Sequence, residues 1–230
     1  MEKNDKHDLV GRYESRIKAL GHGVEVLGEP KNRQWFYFNF ITSHDEFLED
    51  DSLLDVGCGY GDLYRFLKSN GYKGKYSGVD LVPGLIKEAQ KLEPSVEFRV
   101  CDLQNEDVLE RYDWASACGV FTGAEREVDF KEHLESMIFN MWSVVDKGLM
   151  FNLLSPLADY THQLHTRLAF GDVIQIVNKF TNRFTFRHDY MPYEYSFALL
   201  KENQINEDLL IFEKHNHLFE TIQLKKLNHG

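Results

Sequence analysis

The sequence predicts an α/β domain: a mostly parallel sheet with helices on both faces and an antiparallel hairpin closing one edge. Three observations lead there. From residue 52 onward, apolar runs of strand length alternate with stretches of helical length, the pitch of strand–helix–strand units. At the first such junction, "LLDVGCGYGDL" (53–63) places Gly57, Gly59 and Gly61 where a strand must turn into a helix. Near the C-terminus, "RFTFRHDYMPYEYSFALLK" reads as two strands joined by a short turn, which gives a parallel sheet an antiparallel edge. With 230 residues and 43% hydrophobic side chains, the chain can fill one ordinary core.

Two helical segments precede the glycines. Leu9, Tyr13, Ile17 and Leu20 recur at helical spacing, "GHGVEVLGEP" interrupts, and "NRQWFYFNFITSHDEFL" follows as a strongly aromatic helix. Residues 1–48 therefore form an N-terminal helical cap. The core, 49–201, runs from the strand "SLLDVG" into the helix "GDLYRFLKSNG", stopped by Gly71. Next come the strand "KYSGVDL" and the helix "VPGLIKEAQKL", with proline in its first turn. "VEFRVCDL" and "DWASACGVF" are strands, "FKEHLESMIFNMWSVV" is a long helix, and "KGLMFNLL" is the fifth strand. Residues 156–182 are an insertion before the closing pair, which brings the strands to seven. Residues 202–230 form a charged C-terminal extension, open to reading as an extra hairpin or as a homodimer contact.

Thirty-seven acidic against 26 basic side chains give a formal charge of −11. That balance repels a phosphate backbone and disfavours a general nucleic-acid binder. Cys58, Cys101 and Cys118 lie far apart, without a Cys-x-x-Cys pair, which suits neither a disulfide framework nor a thiolate zinc site. No apolar run reaches spanning length, and "MEKNDKHDLV" has no signal-type apolar core. A reducing cytoplasm, with no membrane partner, is the expected setting.

Three kinds of ligand compete for a glycine loop at the carboxyl end of a strand. A phosphate-binding loop needs Gly-Lys-Ser/Thr, but Asp62 and Leu63 follow Gly61. A dinucleotide loop needs Gly-x-Gly-x-x-Gly; here the third glycine comes one residue early, and Asp55 and Asp62 would flank a pyrophosphate with like charge. A cationic ligand without phosphate meets neither objection. S-adenosylmethionine, with its sulfonium and ammonium, is such a ligand.

The stretch closely resembles Asp-x-Gly-x-Gly-x-Gly, the signature loop of class I S-adenosylmethionine-dependent methyltransferases. Asp80, ending "YSGVDL", stands where a carboxylate can accept both ribose hydroxyls. Asp102, ending "FRVCDL", stands where that family commonly places an acid near the adenine amino group. "ASACGVFTG" looks like the family's fourth-strand segment beside the reactive methyl, and "MIFNMWSVVDKGLMFNLLSP" like its fifth helix and strand. "LGHG" and "RHDYMPYEYSFALLK" resemble a largely uncharacterised bacterial branch, in which an aromatic usually takes the place of His22. The resemblance, from about residue 12 to 201, implies a Rossmann-like sheet. It also implies a cofactor site of Asp55, Gly57, Cys58, Gly59, Gly61, Asp80, Leu81, Asp102, Leu103 and Gly119, with Arg33 directed at the cofactor carboxylate. The product would be S-adenosyl-L-homocysteine.

Transfer of an activated methyl group is an in-line displacement that depends mainly on placing the nucleophile. A base is needed only when the nucleophile is protonated. "HDYMPYEY" offers His188 and Tyr190 as candidate catalytic groups, since they would share one face of an unbroken strand. The plain alternative is a strand end packed under the lid. Phe121 and Tyr193 are candidate acceptor contacts, as are His162 and His165 of "DYTHQLH" in the insertion. Asp159, His162 and His165 have a spacing that metal ligands can use, but an exposed polar face is the simpler reading and no metal is assigned. Trp35, Phe36, Tyr37, Phe38 and Phe40 read as packing for a lid helix rather than as an acceptor pocket.

The sequence thus predicts methyl transfer from S-adenosylmethionine to an oxygen or nitrogen of a small molecule. No Asn/Asp-Pro-Pro-Tyr-type motif follows the fourth strand, where "ACGVFT" stands instead. A protein or RNA methyltransferase and a non-catalytic cofactor-binding scaffold are the alternatives.

Overall fold

Leu53–Val56, all four residues buried, form β1 at the middle of the sheet. A strand covered on both faces reads as an unbroken apolar run, which is why the glycine loop follows such a stretch. β1 pairs in parallel with β2 (Tyr76–Asp80) on one side and with β4 (Tyr112–Phe121) on the other. β3 (Glu97–Val100) extends the sheet beyond β2, and β5 (Val145–Leu154) extends it beyond β4. β7 (Glu194–Leu200) lies antiparallel between β5 and the edge strand β6 (Phe184–Arg187). The order is β3-β2-β1-β4-β5-β7-β6: seven strands, mostly parallel, with an antiparallel edge. This computed structural model describes residues 3–21, 23–27, 33–106, 110–121, 127–159, 166–218 and 221.

Alternate residues of each strand feed two cores. Leu54, Val56, Ala115 and Ala117 face α6 (Glu127–Ser143) and α7 (Phe170–Val177), the helix within the insertion. Leu53, Tyr76 and Trp114 face α3 (Gln34–Thr42), α4 (Asp62–Ser69) and α5 (Pro83–Leu92). In α3, Tyr37, Phe38, Phe40 and Ile41 are buried while Trp35 and Phe36 stay exposed, so most of the aromatic run packs against the sheet. α1 (Lys3–Leu20) and α2 (Val24–Leu27) make a third, smaller cluster. There Val10, Tyr13, Ile17 and Val26 meet Tyr60, Val82 and Leu85 at the carboxyl rim of the strands.

One local expectation is corrected. β6 stops at Arg187, whose guanidinium folds onto Asp189 (2.7 and 2.8 Å), and six residues (188–193) lead into β7. His188 and Tyr190 are therefore not strand neighbours on one face. The C-terminal extension contributes a small separate hairpin, β8 (Ile205–Asn206) and β9 (Ile211–Phe212). Among the described residues no helix is long and apolar enough to cross a membrane.

At Gly148 there is no room for a side chain between β5 and β7. A Cβ there would lie 2.2 Å from the Leu199 carbonyl oxygen and 2.8 Å from the Trp114 ring. Gly148→Ala should destabilise the fold by about 1–3 kcal/mol, seen as a lower urea midpoint at unchanged slope. An unaltered midpoint would show that the two strands can part there without loss.

Candidate active site

From β1 the chain moves out to β2 and β3, then returns to place β4 on β1's other side. The reversal opens a crevice at the carboxyl ends of these strands. A cavity of about 260 Å³ occupies it. The loop after β1 forms one wall. Gly57, Gly59 and Gly61 take φ of +72°, +55° and +77°, values that side chains disfavour, and the turn they make is pinned to β2. Gly57 and Cys58 both donate N–H to the Val79 carbonyl (2.8 and 3.0 Å), and Gly59 donates to Asp80 Oδ2 (3.0 Å).

Asp80 also accepts the Val82 N–H at its other oxygen, 2.9 Å away. A carboxylate offers about four acceptor positions, so capacity remains for a hydroxyl from the cavity. Burial pushes the Asp80 carboxyl up, while the N–H groups of Val82, Gly59 and Leu81 pull it back. Asp55, only 2% exposed, lines the cavity and accepts the Tyr76 hydroxyl. Burial raises its pKa to about 7; Tyr76 opposes the shift, and the charges of Asp80 and Asp62 add to it. Asp102 is bound by Lys6 of the cap (2.6 and 2.7 Å), by Asn105 Nδ2 (2.8 Å) and by the Gln104 N–H (3.2 Å). Burial alone would raise its carboxyl, but these hydrogen bonds outweigh it and hold the group below the usual range.

The cavity continues toward β5 and β7. Arg33 Nη2 pairs with Glu194 Oε1 at 2.5 Å, Asn152 Nδ2 donates to Glu194 Oε2 at 2.7 Å, and the Gly119 N–H donates to Asn152 Oδ1 at 2.8 Å. This chain of contacts depends on a break in the β4–β5 ladder between Ala117 and Phe121, an irregularity of the kind that re-aims backbone groups. On the other flank, Gln104 Nε2 and His133 Nδ1 are 2.7 Å apart. Burial depresses the His133 pKa to about 4, with the positive charge of Lys6 adding to the effect, so its imidazole is neutral at physiological pH.

Asp55, Gly57, Cys58, Gly59, Asp80, Leu81, Asp102, Leu103, Gly119 and Arg33 all line this one cavity. Gly61 does not; it lies beneath the loop, where a Cβ would meet the Phe98 ring at 2.7 Å. Four acceptor-side candidates are also placed elsewhere. His188 packs against Phe170 and Tyr195, ring centroids 5.7 and 6.4 Å away, and its buried Nε2 has no hydrogen-bond partner among the described residues. Tyr190 stacks on Phe40 and bonds to Ser196. Phe121 is fully buried against Phe151 and His133. Tyr193 lies outside the lining as well, with its carbonyl accepting the Ser155 N–H. His162, His165 and His22 fall outside the described residues. No cluster of metal-ligating groups occurs among the described residues.

The sequence reading passed over Lys6, Gln104, His133 and Asn152. A lone polar residue within an apolar strand, as in "LMFNLLS", was the available signal for Asn152. Glu194 offered a similar one, an acid opening a run that becomes a wholly buried strand.

The fold and its site define a nucleoside-binding α/β pocket suited to a cationic ligand. Residues 53–146 match the family model described as a methyltransferase domain. A Mycobacterium tuberculosis protein provisionally described as a methyltransferase is 24% identical over 159 residues, 65% of this chain and 93% of the relative. A malonyl-[acyl-carrier protein] O-methyltransferase of Anoxybacillus flavithermus is 26% identical over 131 residues, 56% of this chain and 48% of that protein, about half the relative's length. Magnesium protoporphyrin IX methyltransferase from Synechocystis superposes with a TM-score of 0.59 at 17% identity, covering 86% of this chain and 99% of that one. The DhpI structure superposes at 0.64 and 14% identity, covering 86% and 97%. Together these likenesses support a class I S-adenosylmethionine-dependent methyltransferase fold with its methyltransferase domain over residues 53–146.

A carboxyl that titrates higher in the folded chain than unfolded destabilises the fold as pH rises from about 4 toward 7, the window in which only the unfolded chain is fully ionised. A cation bound beside Asp55 reverses that preference. S-adenosylmethionine binding near pH 6.5 should therefore release protons and strengthen as the pH rises toward 8. Calorimetry in buffers of different ionisation enthalpy reads the release. It should fall clearly in Asp55→Asn, and an equal release in the variant would exclude Asp55 as its source.

Proposed function

We propose that the protein transfers a methyl group from S-adenosylmethionine to an oxygen or nitrogen of a small molecule, and that the acceptor enters between α3 and the ends of β5 and β7. The observation that carries this reading is the continuity of the cavity. One cavity runs from the glycine loop and Asp80 to Gln34, Tyr37, Asn152, Met191 and Glu194. In this arrangement Asp80 holds the ribose hydroxyls, and Leu81 and Leu103 pack the adenine. Asp55 and the loop face the ammonium, and Arg33 reaches the carboxylate. When bound, the cofactor supplies a methyl group already activated as a sulfonium, so the chain's task is orientation and exclusion of water.

Small size is supported by the cap, since α1 and α3 both contribute lining residues and roof the space. The net charge of −11 disfavours a polyanionic acceptor. One structurally similar protein is named for a small-molecule acceptor, magnesium protoporphyrin IX.

Calorimetric titration of the purified protein tests the reading. Saturable binding of S-adenosylmethionine, absent for NAD, is expected. It should be lost in Gly59→Arg, which puts a large cationic side chain at a left-handed position in the cavity wall. A screen of metabolite acceptors should then yield S-adenosylhomocysteine at a rate set by the acceptor. Folded, ligand-free protein that binds NAD and not S-adenosylmethionine would refute the assignment.

A further inference from the structure

Glu194 stands at the turn of the cavity, where the space leaves the cofactor loop and meets β5 and β7. It opens β7, is 5% exposed, and lines the cavity. Residues from three places hold it. Arg33, at the start of α3, takes Oε1; Asn152 of β5 takes Oε2; Gly119 of β4 fixes Asn152. Because the Gly119 N–H occupies the Asn152 oxygen, the amide has one usable orientation, with its NH2 toward Glu194. The carboxylate is thus aimed by backbone geometry as well as by a counter-ion.

Such a group is expensive to keep. A desolvated ion pair seldom stabilises a fold more than packed apolar residues would, so its placement in a cavity wall points to use by a ligand. Each carboxylate oxygen can accept two hydrogens, and among the described residues each accepts one. The other groups at this end are Gln34, Tyr37, Cys118 and Met191, all uncharged as amide, phenol, thiol and thioether. Burial raises the Tyr37 phenol well above its ordinary value, which keeps it protonated.

We infer that Glu194 receives the methyl acceptor: it accepts the hydrogen of an amine or hydroxyl nucleophile and selects such compounds over acceptors that arrive as carboxylates. The inference rests on the methyl-transfer reading above. In the step, the nucleophile's lone pair forms the new bond to the methyl carbon while the S–C electron pair stays with sulfur. The nucleophile's proton passes to the Glu194 carboxylate and from there to water. An acceptor that arrives as a carboxylate has no proton to give and meets like charge.

Sinefungin tests this without a known acceptor, because it carries a primary ammonium where the methyl would be, on a carbon that replaces the sulfur, and otherwise matches S-adenosylhomocysteine. Wild type should bind sinefungin at least about tenfold more tightly than S-adenosylhomocysteine, as a charge-assisted hydrogen bond provides. Glu194→Gln should keep its S-adenosylhomocysteine affinity within about threefold and lose about tenfold in the preference. Since both ligands carry the same amino-acid moiety, any disturbance of Arg33 cancels in the ratio. If Glu194→Gln fails to fold by circular dichroism, Glu194→Asp serves: the shortened carboxylate should bind S-adenosylhomocysteine and lose part of the preference. An unchanged ratio in whichever variant folds would overturn the role of Glu194 while leaving cofactor binding intact. Failure of wild type to bind either ligand would instead remove the methyl-transfer reading itself.

Discussion

The attachment of the glycine loop to β2 is the constraint on which the rest of the site depends. Gly57 and Cys58 share the carbonyl of Val79, and Gly59 reaches the carboxylate of Asp80. These contacts fix how β1 passes into α4 and hold the floor of the crevice open without side chains. They also orient Asp80, because the group that staples the loop is the one left with acceptor capacity toward the cavity. Binding surface and fold are therefore one set of hydrogen bonds, and the loop cannot relax without moving the carboxylate.

Charge completes the pocket. Asp55, Asp62, Asp80, Asp102 and Glu194 line it against Lys6, Arg12 and Arg33. Lys6 is matched to Asp102, Arg33 to Glu194, and Asp62 to Arg65. Asp55 and Asp80 are instead held by hydroxyl and N–H groups, and burial raises both carboxyls. A cavity with two desolvated acids so arranged favours a ligand that brings positive charge and hydroxyls, and disfavours one that brings phosphate. The folded chain carries a local instability, and a cationic ligand offsets it.

Much of this was legible in the sequence because it depends on local pattern. "LLDVGCGYGDL" combines a buried strand with glycines at alternate positions, and both the fold class and the cofactor wall follow from it. Strand-end acids at 80 and 102 were legible for the same reason, since position along a strand sets position relative to the crevice. The acceptor end was not, because it is assembled from residues remote in sequence. Arg33 and Glu194 are 161 positions apart, and Asn152 and Glu194 are 42 apart. His188 was misplaced because strand periodicity was continued past Arg187, where the ion pair to Asp189 ends the pleat and sends the imidazole toward Phe170. His133 gave no signal: on an amphipathic helix a lone histidine looks like any other half-buried residue.

A crystal structure of the protein with S-adenosylhomocysteine would test the central claim most directly. The account requires the ribose hydroxyls on Asp80, the amino-acid moiety between the glycine loop and Arg33, and the thioether sulfur turned toward Glu194. A ligand seated elsewhere, or one in this cavity with its ribose away from Asp80, would contradict it.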